Sequence, residues 1–328
     1  MYYFINCLKA IATVLITNSH YAGIWPIADL AAGGLLGNIL FFAASGFCLY
    51  NVRESFPKWY LKRILRIYPV MIFFTLLTAF MRDGVLPAKK DIFYLFVFPT
   101  KYIFLVWLML LYVAFYLVAW FSKHFDKTTE AVFLGVALAW IAVYFACIDK
   151  SVYCIDDVGQ PFILFLYFLS MLAGALFKKY FDRFRVLQKR NVVLLFVSLI
   201  VYLFSKLSFL EIQKIAFLQI LNQISILAVL YFMFAVFMGL EEKLKKAPAW
   251  LNKSMGFIAS ITLHIYIVQF VVIRRLEGLI FPLNFIATTS MILLLAAVLY
   301  FAEYFVRKGI LCLIDKTKRI NNNGEASH

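Results

Sequence analysis

Apolar stretches of membrane-spanning length recur along the whole chain, separated by short polar connections that hold most of its lysines and arginines. Ten are legible, near residues 4–22, 31–50, 67–82, 94–121, 129–147, 160–177, 191–205, 216–239, 254–273 and 281–302. A helix rises about 1.5 Å per residue, so about 20 apolar residues cross a hydrocarbon layer of ~30 Å. The pattern predicts an all-α fold, a polytopic membrane helix bundle of about ten transmembrane helices. The fourth stretch is long enough for a bend or re-entrant start around Phe98, Pro99 and Thr100, and the seventh is short for a full crossing. The first has no basic leader and no small-residue cleavage site, and so reads as a retained helix. One membrane domain is expected over residues 1–306, followed by a polar, disordered tail over 307–328; no internal repeat is evident.

Composition supports this picture. The chain is 64% hydrophobic and 15% charged, with a mean hydropathy of +0.88, more apolar surface than a soluble core can use. The net charge of +15 does not point to nucleic acid, because the basic residues are strung between apolar runs instead of forming one patch. Membrane lipid headgroups and orientation account for them better. With the N-terminus placed in the cytoplasm, the inward connections carry 22 Lys and Arg and the outward ones eight. The positive-inside rule then sets both termini in the cytoplasm. The five cysteines form no metal-like cluster and no metal site is expected; Cys147 and Cys154, around one loop, are a candidate disulfide or two free thiols.

The rare ionisable residues inside apolar stretches are the candidates for chemistry. Lys9 and His20 lie in the first stretch, eleven residues apart. On a continuous helix that spacing returns them to one face, roughly 16 Å apart. Lys9 is either a cavity charge or a side chain snorkelling to the interface, and His20 either an interfacial hydrogen-bonding group or a general base. Arg63 and Arg66 are one turn apart just before Pro69, a spacing that suits clamping phosphate oxygens and equally suits anchoring in headgroups. His264 reads first as a satisfied bundle histidine and second as an acid or base. Glu303 reads as the partner of Arg307 at i,i+4. Trp25, Trp107 and Tyr112 are candidates for stacking on sugar rings, or packing residues.

Together these segments resemble one family. "FINCLKAIATVLITNSHY" looks like the first helix of the membrane acyltransferase-3 family, with its arginine, ten intervening residues and histidine; the arginine is Lys9 here. "NILFFAASGFCLY" is similar to the family's second helix, through Phe41, Phe42, Ser45, Gly46 and Phe47. "YLKRILRIYPVM" resembles its Arg-x-x-Arg motif, with Arg63, Arg66, Ile67 and Pro69. "GFIASITLHIYIVQF" resembles its Gly…Ser…Tyr-x-x-His/Gln helix, matched by Gly256, Ser260, Tyr266 and Gln269. "LYFAEYFVRK", with Tyr300 and Glu303, is similar to its closing helix.

The resemblance implies an acyl-coenzyme A-dependent O-acyltransferase. It would move an acetyl or similar short acyl group to a hydroxyl of an envelope or lipid-linked carbohydrate. It implies His20 as base, with Lys9, Ser260 and Tyr266 as further catalytic candidates. Arg63, Arg66, Lys9 and Ser45 would bind the donor, acetyl-CoA or another acyl-CoA, which is a substrate and not a resident cofactor. A transporter or flippase of a lipid-linked or amphiphilic solute, and a silent partner in glycan export, are the alternatives; the first predicts inverted repeats.

Overall fold

The structure is a computed structural model. It describes residues 2–83, 88–90, 93 and 102–325, and of residues 82, 83 and 306–325 the backbone alone. The expected bend around Phe98, Pro99 and Thr100 lies outside the described residues. Within them the chain is helical and has no strand. The order is α1 (Tyr3–Asn18), α2 (Gly34–Leu49), α3 (Phe56–Asp83), α4 (Ile103–Phe121), α5 (Thr128–Cys147) and α6 (Ile163–Lys179), then α7 (Lys189–Glu211), α8 (Ile220–Gly239), the short α9 (Glu241–Lys245), α10 (Ala249–Leu276) and α11 (Leu283–Glu325). Eight helical stretches among the described residues are long and apolar enough to cross a membrane. α1, with 16 residues, and α6, with 17, fall short of that length.

Four boundaries differ from the sequence reading. α1 ends at Asn18, so Lys9 and His20 do not share one continuous helix; His20 stands in the turn that follows. α3 begins at Phe56, eleven residues before the expected span, and runs through Pro69. The proline forfeits only the bond to the Leu65 carbonyl, and both residues are exposed, so the helix tolerates it. α7 is 23 residues long, a full crossing where a short one was expected. α11 is continuous past residue 306, and its apolar part is Leu283–Phe305.

The centre of the bundle is α1, α2 and α6. α2 meets α6 backbone to backbone: a Cβ on Gly46 would overlap the Met171 carbonyl, and one on Gly174 the Ala43 carbonyl. Phe42 then stacks on Tyr167 at 4.5 Å, and Asn38 Nδ2 donates to the Tyr167 hydroxyl at 2.9 Å. α1 lies between this pair and α10. Its first turn is held by Glu241, whose carboxylate accepts from the Phe4 N–H at 2.8 Å and the Tyr3 N–H at 3.2 Å. That meets the orphan donors and positive end of the helix dipole with a negative charge. α5 and α7 are peripheral: Leu134, Leu138, Phe196, Ile200 and Phe204 are exposed, as lipid-facing positions are.

Candidate functional site

α3 turns its first half toward the bundle through Trp59, which is buried. Four residues on, the Arg63 guanidinium carbon lies over that indole at 4.1 Å and its Nη1 donates to the Trp59 carbonyl at 2.7 Å. A guanidinium seated this way has its fork fixed while donors remain free. Arg66, one turn further, is exposed. Lys62, immediately before Arg63, is paired with Glu54.

These side chains form the mouth of a cavity of about 300 Å³ enclosed by α1, α2, α3, α4 and α10. Lys9 enters it from α1, Ser45 from α2, Tyr112 and Leu108 from α4, and Ser260 and Leu263 from α10. Lys9 is half-buried and belongs to no ion pair among the described residues. The Ser260 hydroxyl donates to the Phe257 carbonyl at 2.7 Å, which leaves its lone pairs to accept. Five of the residues singled out from sequence, Lys9, Ser45, Arg63, Arg66 and Ser260, therefore share one space. Tyr112, a stacking candidate from sequence, shares it too, as do Lys62 and Thr262, which sequence reasoning did not single out.

Beyond it a second cavity, of about 20 Å³, continues along α1 and α10. Thr262 borders both spaces, and its hydroxyl meets that of Thr13 at 2.9 Å. Thr17, Tyr266 and Gln269 line the smaller one. His20 borders neither cavity. It lies one turn past Thr17 with its ring edge-on to Phe270 at 4.6 Å, and burial pushes its imidazole below the ordinary histidine pKa. Asn18 fixes the loop around it: its Nδ2 donates to the carbonyls of Leu30 and Ala32, and its Oδ1 accepts from the Trp25 indole.

Trp25 and Trp107 are thus engaged in packing. Trp25 also lies against Phe285 at 4.8 Å, and the Trp107 indole donates to the Val158 carbonyl. Glu303 has a partner on the neighbouring helix; the Arg307 side chain expected beside it lies outside the described residues. Glu303 pairs with His264 at 2.9 Å, and Tyr300 sits edge-on to the same imidazole. Cys147 and Cys154 are free.

A family model described as an acyltransferase domain, acyltransferase-3, matches residues 2–305. The chain belongs to the acyltransferase-3 family. The match begins in α1 and ends in α11, so it takes in both cavities and His20. No curated protein and no solved structure matches the chain. As an acyltransferase-3 protein with many apolar helices, the chain is a multi-pass membrane acyltransferase.

Proposed function

We propose that this protein transfers an acetyl or similar short acyl group from acyl-coenzyme A to a hydroxyl of an envelope or lipid-linked carbohydrate in a bacterial cytoplasmic membrane. The observation that carries the reading is the cavity of about 300 Å³ with cationic residues at its mouth and hydroxyls inside it. Arg63, Arg66 and Lys62 suit the nucleotide phosphates, which multiply charged donors hold by short charge-assisted bonds. The basic connections support a cytoplasmic orientation for this mouth, where coenzyme A thioesters are made.

The pantetheine arm is thin and, extended, on the order of 15–20 Å long. From Ser260 to Gln269 α10 advances about 14 Å, so a donor held at the arginines has its thioester near the end of the second cavity. There His20 takes the proton of the acceptor hydroxyl as its oxygen attacks the thioester carbon. The tetrahedral adduct collapses, the carbon–sulfur bond breaks, and the leaving thiolate recovers the proton from the imidazolium. Lys9 supplies positive charge along the path, with one point charge in place of an arginine fork. The acceptor approaches from the opposite side or along the bilayer.

The test uses purified protein in lipid vesicles with radiolabelled acetyl-coenzyme A and a mixed extract of envelope glycans. Label is expected in a glycan with wild type and not with His20→Ala. Glycan carried across the vesicle without label would favour a transporter and sink the proposal.

A further inference from the structure

Among the described residues, the side-chain amides with no exposed surface are each bonded through at least one group, with one exception. Gln219 Oε1 accepts from the Cys154 and Ile155 N–H groups and its Nε2 donates to two carbonyls. Asn222 and Gln223 are each bonded through their Nδ2 or Nε2 groups. Gln269 is fully buried, yet neither its Nε2 nor its Oε1 has a protein partner, although it lines the second cavity. Thr17 Oγ1, on the facing wall of the same cavity, is also buried and unpartnered. Thr13 and Thr262, one turn away, bond to each other and to helical carbonyls. An unbonded buried polar group destabilises the fold, so two lining one small space call for a cause.

We infer that Gln269 and Thr17 bind the thioester carbonyl oxygen and become the oxyanion donors of the transfer. The inference rests on the acyltransferase reading above and assigns two residues that it leaves without a role. The position fits: His20 packs on Phe270, the residue after Gln269, and follows Thr17 by about one turn. When the acceptor oxygen adds to the carbonyl carbon, the C=O π pair moves onto the carbonyl oxygen. The Gln269 Nε2–H and the Thr17 O–H donate to that oxygen, and the acceptor proton goes to His20. Collapse returns the pair, expels the thiolate, and leaves both side chains as they began. Fixed donors in a dry site stabilise such charge most where it develops, so removing one lowers kcat by about 10²–10³.

The role has a second signature. If the two groups serve only the reaction, replacing them with apolar residues of similar size relieves an unmet polar burial and does not weaken the fold. Gln269→Met and Thr17→Val are therefore expected to melt at or above the wild-type temperature while transferring acetyl about a hundredfold more slowly. Thr17→Ser keeps the hydroxyl and is expected to keep most of the rate.

The deciding measurement is the binding of two ligands to full-length protein in vesicles: coenzyme A, and its trifluoroacetonyl thioether, whose hydrated ketone mimics the tetrahedral adduct. Wild type is expected to prefer the ketone strongly. Gln269→Met and Thr17→Val should bind coenzyme A as wild type does and lose that preference by about a hundredfold. Variants that keep both the preference and the rate, as a site that merely holds a water would, overturn the assignment and leave the acyltransferase reading intact. Loss of affinity for both ligands together with a lower melting temperature also overturns it, as a structural role. Wild type that binds neither ligand and transfers nothing overturns both readings.

Discussion

His264 of α10 and Glu303 of α11 face each other across the helix interface, with Nε2 and Oε2 at 2.9 Å. The histidine is buried and the side chain of the glutamate is 20% exposed, so the pair ties the last two helices from within. His264→Ala leaves the carboxylate without its partner in mostly apolar surroundings. The expected cost is about 2 kcal/mol, the scale of a hydrogen bond to a charged group, read as a lower melting temperature in detergent. The KM for the donor should be unchanged, because neither residue borders the cavity.

The contact of α2 with α6 admits no side chain at two positions. Gly46→Ala and Gly174→Ala each push a methyl into a carbonyl of the facing helix. Helix separation must increase, at about 1–3 kcal/mol or more. The fraction of protein eluting as a folded, monodisperse species should drop sharply for either variant, whereas Gly135→Ala, with open space around it, should behave as wild type.

Arg63 depends on its seat. Arg63→Lys keeps the charge and loses both the stacking on Trp59 and the planar fork. Donor KM should rise about tenfold or more, with a smaller change in kcat. Arg66→Ala should raise KM too, and should weaken the dependence of KM on salt, since an exposed charge is screened most.

The pH profile follows from His20. Its pKa is lowered by burial, so the imidazole stays neutral, and able to accept a proton, at pH values where an ordinary histidine (~6.5) is already half protonated. Transfer should hold its rate down through pH 6.5 and fall only below the lowered value. The same shift means the unfolded chain binds this proton more readily. Its contribution to stability is therefore present above the ordinary pKa and is lost as pH falls toward the lowered one. Rate and melting temperature measured from pH 5 to 8 in vesicles with clamped pH on both sides check this.

Asn18 is the hinge pin of the outer loop. Asn18→Ala removes three hydrogen bonds, to Leu30, Ala32 and Trp25. With the loop loosened, water reaches His20 and its pKa should return toward the ordinary value. The acid limb of the rate profile should move up, an effect absent from a variant that only destabilises the bundle.

Much of this was legible because lipid imposes strong rules on sequence. Helix positions follow from apolar run length, and Lys9, Ser45, Arg63, Arg66 and Ser260, all in segments with family-like spacing, converge on one cavity. What misled was local. Two residues decide whether Lys9 and His20 share a helix, and periodicity does not locate that end: Asn18 turns to the loop carbonyls instead of continuing the helix. The start of α3 was missed because the polar residues 56–66 look like a connection, while Trp59 buries that turn against α4. Glu303 reaches His264 on the neighbouring helix, which spacing along a single helix cannot show. Gln269 could be seen in the sequence, but its lack of a partner is a three-dimensional fact.

An enzyme that joins a donor from one compartment to an acceptor from the other risks becoming an ion leak. The Thr13–Thr262 bond lies where the large cavity meets the small one, of about 20 Å³, so a donor arm must part that bond and widen the space to seat its thioester, and it fills what it opens. No file of waters long enough to relay protons fits beside it. Each charge held back keeps about 2.3 kcal/mol per 100 mV of membrane potential for other work. The two threonines would thus act as an insulator, letting acyl chemistry cross the membrane while the current does not.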